Sequence, residues 1–210
     1  EMGDNLPAVD LGTGRTAIAI AAGFSHTCAL LDNAAVKCWG SNGSGRLGIG
    51  NTTNMGDGWN MGDNLPAVDL GTGRTATAIA AGGDGHSCAI LDNASVKCWG
   101  RGGRLGQGNS TSLGDDVNEM GDNLTIVDLG TGRTATAISA KGEYTCVILD
   151  NASVKCWGRG NYGALGQGNT YDLGDGANEM GDNLPAVDLG TGRTATAIAA
   201  SRDHTCALLD

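Results

Sequence analysis

His26-Thr-Cys-Ala-Leu-Leu-Asp-Asn-Ala-Ala-Val-Lys-Cys-Trp-Gly40 is the segment that decides the fold. Two short apolar runs flank an Asp-Asn turn, a pattern typical of two antiparallel strands joined by a tight loop. A three-residue loop at 32–34 would place Cys28 opposite Cys38. Facing strand positions lie about 4.5–5.5 Å apart at Cα, which is within reach of a disulfide. The segment therefore predicts a β-hairpin closed by a disulfide.

The same hairpin recurs along the chain. Cys88 would pair with Cys98 and Cys146 with Cys156, while Cys206 has no partner at this spacing. Outward from each hairpin, the motif Met-Gly-Asp-Asn-Leu recurs at Met2, Met61, Met120 and Met180. The 210 residues thus form one array of units of about 60 residues, 1–59, 60–118, 119–178 and the shorter 179–210. Such repeats complete each other's core, and we expect the array to continue in a longer chain.

Four short apolar runs in each unit predict strands. In the first unit they are Leu6–Leu11, Thr16–Ala22, His26–Leu31 and Val36–Trp39, separated by Gly and Pro. The Ala-rich second run has helical propensity, but its shortness and flanking glycines favour a strand. Four antiparallel strands per repeated unit are typical of propeller blades. We therefore predict an all-β protein made of four-stranded β-propeller blades.

Residues 26–48 resemble the repeat of the regulator of chromosome condensation family, and the resemblance recurs in each unit. They contain its His, Ala-Leu strand, turn, Val-x-x-Trp-Gly strand and Gly-x-Leu-Gly loop. The resemblance implies a seven-bladed propeller, of which this chain holds about three and a half units. The paired cysteines resemble secreted members rather than the nuclear exchange factor. Ala34, Ala94 and Ala152 stand where the family has a turn glycine, and each should cost on the order of 1 kcal/mol at positive φ.

The cysteines and glycosylation motifs predict an extracellular location, whether secreted or at the cell surface. A metal site is the alternative for the cysteines, because His26, His86 and His204 each precede a Cys by two residues. Zinc sites favour closer Cys spacings, and Tyr144 replaces the histidine in the third unit. N-x-S/T motifs, which are acceptors for N-glycans, occur at Asn42, Asn51, Asn93, Asn109, Asn123 and Asn151. Disulfides and glycans both belong outside the reducing cytosol.

Composition excludes two classes of partner. The net charge is −10, whereas a nucleic-acid-binding protein needs a basic face to neutralise phosphates. The segment also contains no run of 18 apolar residues, so no membrane insertion is expected within it. We therefore predict neither a nucleic-acid partner nor a membrane span.

Trp39, Trp99 and Trp157 occupy the same strand end in successive units. A large ring at a repeated position favours packing between blades, so we predict that these residues belong to the structural core. An aromatic platform for a ligand is the alternative. Trp59 lies in a loop and has no Trp counterpart, which makes it a candidate for a single exposed contact.

Two further motifs have simple structural interpretations. Gly12-Thr-Gly-Arg-Thr-Ala17 matches a phosphate-binding pattern, but a strand rather than a helix follows it, so we reject nucleotide binding. Its Arg15 and the preceding Asp10 recur in every unit, which predicts an ion pair between blades. Oxygen-rich loops provide weak calcium candidates, although their spacing fits no known loop and turn chemistry explains them equally well. These candidates are Asp57, Asp63, Asp115, Asp122, Asp175 and Asp182.

The function that follows is non-enzymatic. No nucleophile elbow, zinc-protease motif or unique carboxylate pair is present, so no catalytic residue and no cofactor is predicted. Near-identical units with disulfides favour a structural repeat subunit of a surface fibre or coat that binds copies of itself. The alternative is a secreted or surface-anchored module that recognises an extracellular protein or glycan through its variable loops. A guanine-nucleotide exchange role is disfavoured by the disulfides and the acidic charge.

Overall fold

The computed structural model describes residues 3–210, so Met2, which opens the first copy of the Met-Gly-Asp-Asn-Leu motif, lies outside it. The secondary structure of these residues consists of β-strands and short 3₁₀ turns. The strands are β1 Ala17–Ala22, β2 His26–Leu31, β3 Val36–Gly40, β4 Ala76–Ala81, β5 His86–Leu91, β6 Val96–Gly100, β7 Ala135–Lys141, β8 Tyr144–Leu149, β9 Val154–Gly158, β10 Ala195–Ala200 and β11 Thr205–Leu209. The 3₁₀ turns are Gly3–Asn5, Gly43–Gly45, Gly62–Asn64, Gly121–Asn123, Asn161–Gly163 and Gly181–Asn183.

Each predicted unit contains one antiparallel sheet. The orders are β1-β2-β3, β4-β5-β6 and β7-β8-β9, and the shorter last unit contributes the pair β10-β11. In the first sheet Leu30 faces Val36 and Cys28 faces Cys38, which is the register predicted from the sequence. The all-β fold is therefore confirmed, and the alanine-rich runs are strands rather than helices.

The prediction of four strands per blade is wrong, because each full sheet has three. The segment Leu6–Leu11 forms no strand, and its counterpart in the next unit makes one isolated bridge, Ala67 to Lys37. Val68 donates its amide to the carbonyl of Val36 at 2.8 Å. The segment instead ties each unit to the sheet of the unit before it.

The hairpin turns adopt the strained conformation expected from their sequence. Ala34, Ala94 and Ala152 have φ of 61°, 61° and 62°. In each turn the alanine amide donates to the carbonyl three residues earlier, as from Ala34 to Leu31 at 2.9 Å. Left-handed backbone costs an L-residue roughly 1–2 kcal/mol, so the surrounding hairpin holds these alanines in place.

Tryptophan packing joins successive blades. Trp99 and Trp157 are fully buried. Trp99 donates its indole N–H to the carbonyl of Arg46 in the preceding unit at 3.1 Å, and a Cβ on Gly48 would lie 2.7 Å from the same nitrogen. The glycine therefore makes room for the ring. Trp39 is only partly buried in the described part of the chain. Structural packing of Trp99 and Trp157 agrees with the core role predicted for this position.

A second repeated contact lies beside the tryptophans. Asp63 accepts hydrogen bonds from the amide of Thr13 at 2.9 Å and from its hydroxyl at 2.6 Å, although the two residues are in different units. Lys37 is buried and donates to the carbonyls of Leu11 and Gly62 at 3.0 and 2.7 Å. The next two interfaces repeat both contacts. The repeated residues therefore form a frame that fixes one blade relative to the next.

None of the helices in residues 3–210 has the length and apolar character needed to cross a membrane.

Candidate ligand-binding face

Two groups of segments, among those that differ between the otherwise similar units, pack together in the structure. One group is the turn between the first and second strand of each sheet, at 22–25, 81–85, 141–143 and 200–204. The other is the loop after each Trp-Gly pair, at 41–46, 101–104 and 159–164. The turns meet in the structure, because Asp84 donates its amide to Gly142 at 3.0 Å and Lys141 donates to Ala22 at 2.9 Å. We call these segments together the variable face.

The loops pack onto the turns through charged side chains. Arg104 Nη2 donates to Glu143 Oε2 at 2.6 Å, and Arg159 also pairs with Glu143. Arg101 pairs with Asp84 in the same way. Partial burial opposes ionisation of Glu143, but its hydrogen bonds with the two arginines outweigh burial and lower its pKa. Glu143 is therefore a carboxylate that holds two loops together rather than a free acid or base.

The variable face concentrates the basic residues of an acidic chain. Seven of the thirteen lysines and arginines recur at matching positions in the units: Arg15, Arg74, Arg133, Arg193, Lys37, Lys97 and Lys155. The other six all belong to the variable face: Arg46, Arg101, Arg104, Lys141, Arg159 and Arg202. Because the whole chain carries a net charge of −10, this face differs in electrostatic character from the rest of the surface.

A cavity of about 340 Å³ opens in this face. All four units contribute to its lining, which consists of Phe24, Asp84, Gly142, Glu143, Tyr144, Arg159, Asn161, Tyr162, Ala164, Arg202 and Asp203. Its volume lies within the range of about 300–1,000 Å³ that is typical of small-ligand pockets. No single unit contains the site, so it exists only when successive blades are assembled.

Two exposed aromatic residues line the cavity. Phe24, the only phenylalanine of the sequence, is 62 % exposed, and its ring lies against Gly83 of the next unit. Tyr162 is 80 % exposed and has φ of 58°. Ser44, at the matching position of the first unit, has φ of 67°, so the backbone conformation belongs to the loop and the third unit differs by its large aromatic side chain.

A line of buried side chains lies beneath the face and links the blades. His26 Nε2 lies 2.9 Å from the hydroxyl of Ser87, and His86 Nε2 lies 2.9 Å from that of Thr145. Burial, assisted by Arg46, lowers the pKa of His26 to about 4. Burial, assisted by His26 and Arg104, lowers the pKa of His86 to about 3. Both imidazoles are therefore neutral at pH 7 and act as structural links.

Sequence models identify the family to which these blades belong. A model of the Regulator of chromosome condensation (RCC1) repeat matches residues 17–46, 76–107 and 135–164. A second model of the same repeat matches residues 153–208, and together the matches cover more than half of the chain. The chain belongs to the RCC1 repeat family. The family predicted from residues 26–48 is thus confirmed.

RCC1-repeat relatives include proteins of several kinds. The chain is 32 % identical over 161 residues to the Ultraviolet-B receptor UVR8 of Arabidopsis thaliana, covering 75 % of this chain and 33 % of the relative. It is 30 % identical over 149 residues to the human E3 ubiquitin-protein ligase HERC2, covering 68 % of this chain and 3 % of the ligase. The chain therefore spans a third or less of the length of these two relatives.

Solved RCC1-repeat structures share the fold. Prp20p from Saccharomyces cerevisiae matches with a TM-score of 0.63 and 22 % identity, covering 91 % of this chain and 42 % of that one. The CRINKLY WD40 ectodomain of the Arabidopsis thaliana receptor kinase ACR4 matches with a TM-score of 0.53 and 20 % identity, covering 95 % of this chain and 54 % of that one. At these identities the similarity supports the propeller architecture alone.

The cysteines of this RCC1-repeat chain are paired as the hairpin register requires. Disulfides join Cys28 to Cys38, Cys88 to Cys98 and Cys146 to Cys156, each with a Cα–Cα distance of 4.1 Å. Cys206 is free and exposed. The metal alternative for these cysteines is wrong, because their sulfur atoms bond to each other.

Most of the predicted glycosylation positions are exposed. They are Asn51, Asn93, Asn109, Asn123 and Asn151. Asn42 is fully buried, its Nδ2 donates to Asn51 O at 2.6 Å, and its Oδ1 accepts from the amide of Leu47 at 2.9 Å. A glycan on Asn42 is incompatible with this loop. At the other five positions glycosylation remains a prediction.

The predicted calcium candidates are distributed among separate contacts. Asp63, Asp122 and Asp182 each cap a threonine of the preceding unit, and the hydrogen bonds from that threonine lower the pKa of each carboxyl. Burial raises the pKa of Asp115 and Asp175. Asp57 accepts a hydrogen bond from Asn60 at 3.2 Å. Among residues 3–210 no cluster of three or more His, Cys, Asp or Glu side chains could hold a metal ion.

Two other predictions can be compared with the structure. Trp59 is 98 % exposed, as predicted for a loop contact, but it lies outside the variable face. The ion pair predicted between Arg15 and Asp10 is wrong, because Arg15 pairs with Asp32 in its own hairpin at 3.2 Å. The Asp10 carboxylate instead accepts the amide of Gly12 at 2.9 Å. The short turn after Asp10 brings the Gly12 amide to the Asp10 carboxylate. Arg15 therefore pairs with the hairpin residue Asp32 and not with Asp10.

Sequence reasoning missed both the buried lysines and the cavity. Lysine recurs between Val and Cys in every complete hairpin, at Lys37, Lys97 and Lys155, and this recurrence was the available signal. The available signal for the cavity was a position at which the third unit differs from the first two. Counting back from the buried leucine of the Leu-Gly pair, Ala164 occupies the position of Arg46 and Arg104.

Proposed function

We propose that this RCC1-repeat chain is a non-enzymatic recognition module that binds a protein or glycan partner through its variable face. The observation that carries the proposal is that two groups of segments that differ between units pack together on one face. The frame repeats in every unit, because it serves the same packing at each interface. These segments contain the six lysines and arginines that do not recur between units, and two exposed aromatic residues of the same segments line a cavity. Exposed aromatic and arginine side chains are typical of binding surfaces.

An extracellular location supports this role. Three disulfides stabilise hairpins whose cores are thin, as is common in proteins of oxidising compartments. Mass spectrometry of the native protein, alkylated without reductant, should find six of the seven cysteines protected. Seven alkylated thiols would contradict an extracellular location and return attention to an intracellular exchange-factor role.

A binding experiment tests the recognition role itself. The immobilised protein would be incubated with an extracellular protein fraction and with a glycan fraction, and retained molecules would then be purified and their affinity measured directly. We expect Lys141→Ala combined with Arg101→Ala to weaken this affinity, because both cations lie on the variable face. Trp59→Ser, an exposed change outside the face, is the matched control. Equal affinities for the two variants would contradict the proposal.

A structural fibre or coat subunit is the second candidate. The units pack on one another through the same repeated contacts, and such units can also pack against a second copy of the chain.

Electron microscopy of native material extracted without reductant distinguishes these candidates. Continuous fibres with a repeat at the scale of one blade would support the structural role. Discrete rings would exclude fibres and favour the recognition module.

A further inference from the structure

We propose that the cavity of the variable face binds one sugar residue of an extracellular glycan. This inference rests on the recognition role and assigns a ligand class to one site within it. The cavity occurs at the third interface, between the third and fourth units, and the two earlier interfaces explain why. Arg46 and Arg104 occupy matching positions in the first two units. The third unit has Ala164 instead, and Ala164 lines the cavity.

The two arginines fill the space that Ala164 leaves open. Arg46 Nη1 donates to Ser25 at 2.7 Å, and its guanidinium covers Gly85 of the next unit. Arg104 is only 12 % exposed and pairs with Glu143 of the next unit at 2.6 Å. The backbone at the third interface is arranged like that at the first. Thr205 donates to the carbonyl of Ala164 at 2.9 Å.

The same contact joins Ser87 to Arg46 at 2.9 Å. The cavity therefore results from the short side chain of Ala164, because the backbone contact between the blades is the same as at the first interface. A truncated side chain that leaves the backbone unchanged is a simple way to create a ligand pocket at one chosen interface.

The polar lining suits a ligand with many hydroxyl groups. Arg202 is 78 % exposed and has only Asp203 nearby, at 3.7 Å, so most of its N–H groups are free to donate. Asp203 is 49 % exposed and supplies acceptors. The side-chain oxygen of Asn161 accepts from Arg159 Nε at 2.7 Å, which leaves its amide N–H groups as donors at the cavity. Alternating donors and acceptors around one space match the hydroxyls of a sugar, each of which donates one hydrogen bond and accepts others.

The aromatic residues suit the same ligand. Phe24 and Tyr162 come from the first and third units and both line the cavity, where their exposed rings offer apolar faces. The C–H face of a sugar ring can stack on such a surface while its hydroxyls bond to the polar lining. Tyr162 replaces Ser44 of the first unit in a loop of the same backbone conformation, so the third unit places an aromatic ring at the cavity where the first has a small polar side chain.

An acidic peptide fits the site less well. Asp84, Glu143 and Asp203 line the cavity and would repel a carboxylate side chain, whereas the hydroxyls of a sugar can donate to carboxylates. Two of these acids are already paired with arginines, so the lining offers mixed polarity rather than a strong positive charge. The chemistry therefore favours a sugar over an acidic segment of protein.

The test uses the full chain and two immobilised uncharged probes, cellohexaose and chitohexaose. We expect saturable binding to at least one of them. Ala164→Arg, which restores the residue found at the two earlier interfaces, should fill the cavity and reduce affinity by about tenfold or more. Tyr162→Gly should have a similar effect while relieving backbone strain. Tyr171→Thr is the matched control, because Tyr171 is 74 % exposed in the same unit, does not line the cavity and has Thr111 as its counterpart.

Circular dichroism and thermal unfolding of each variant would establish that it remains folded. Absence of saturable binding to every probe, or binding unchanged by Ala164→Arg, would overturn the sugar assignment. Binding of poly-glutamate that is lost in Ala164→Arg would assign the cavity to a peptide instead and would also overturn it. If Lys141→Ala with Arg101→Ala abolishes binding of a partner that Ala164→Arg leaves intact, the recognition role stands and the sugar inference fails.

Discussion

The frame and the variable face differ in how they use the repeats. In the frame, Lys97 and Lys155 each donate to two backbone carbonyls at equivalent positions. Trp99 and Trp157 are buried at equivalent positions of successive interfaces. At the face, matching positions hold different residues, and one interface is opened into a cavity. The comparison indicates that repetition preserves the packing of the blades, whereas loss of repetition marks the residues that contact something else. The frame should therefore control stability, and the face should control binding.

Removing a frame tryptophan should have the largest effect on stability. Trp99→Ala should lower the free energy of unfolding by about 3–5 kcal/mol, because it empties a buried site and removes the hydrogen bond to Arg46. Trp39→Ala should cost clearly less, since Trp39 is only partly buried. Urea unfolding followed by circular dichroism measures both. Similar losses for the two variants would show that burial between blades does not explain the role of the repeated tryptophan.

Acid should weaken the frame through its buried histidines. The pKa of His26 falls from 6.5 to about 4 and that of His86 from 6.5 to about 3 on folding, so protons bind more tightly to the unfolded chain. The stability that neutral histidine provides is complete above pH 6.5 and declines as the pH falls below that value. Between pH 7.5 and about pH 4.5 each histidine should contribute a loss on the order of 2 kcal/mol.

The matched change for this prediction is His26→Gln combined with His86→Gln, measured by urea unfolding at both pH values. The third unit already uses Tyr144 at this position, and its phenol donates to the carbonyl of His204. We expect the double variant to lose less stability between the two pH values than the original chain. An unchanged pH dependence would assign acid sensitivity to the carboxylates instead.

Removing a buried lysine should have an intermediate effect. Lys97→Ala leaves the carbonyls of Leu70 and Gly121 without their donor, which should cost about 1–3 kcal/mol. Burial lowers the pKa of Lys97, and nearby Asp122 and Asp69 oppose this shift. Thermal unfolding of Lys97→Ala and of Lys141→Ala, a lysine of the variable face, sharpens the comparison. Equal losses would contradict the division between frame and face.

Removing the repeated surface ion pair should have the smallest effect. Arg74 and Asp92 lie 3.1 Å apart, but their side chains are 38 % and 39 % exposed. Arg74→Ala should lower the free energy of unfolding by less than about 1 kcal/mol, and salt should weaken the pair further. Urea unfolding at low and high ionic strength measures this. A loss comparable to that of Lys97→Ala would show that exposed repeated residues also belong to the frame.

Much of the frame could be predicted from the sequence, because its signals are local. The Cys-x9-Cys spacing and the Asp-Asn turn specified the hairpin register, and positive φ at Ala34 followed from the same turn. The four-stranded blade was predicted wrongly, since a strand-like composition around Pro7 and Pro66 does not show which neighbour the segment pairs with. The ion pair of Arg15 was also assigned to the wrong acid, because sequence proximity does not reveal the path of a turn.

The sequence by itself determined the repeat, the all-β fold, the disulfide pairing and the positions of the buried tryptophans, because each depends on spacing within one unit. Only the tertiary structure decided the site. Phe24, Ala164 and Arg202 come from three different units, and the packing of successive blades brings them to one cavity. The third interface is open there because a single short side chain replaces an arginine while the surrounding backbone contacts stay the same. The shape of a cavity depends on side chains from several units, and these side chains meet only after the blades have packed together.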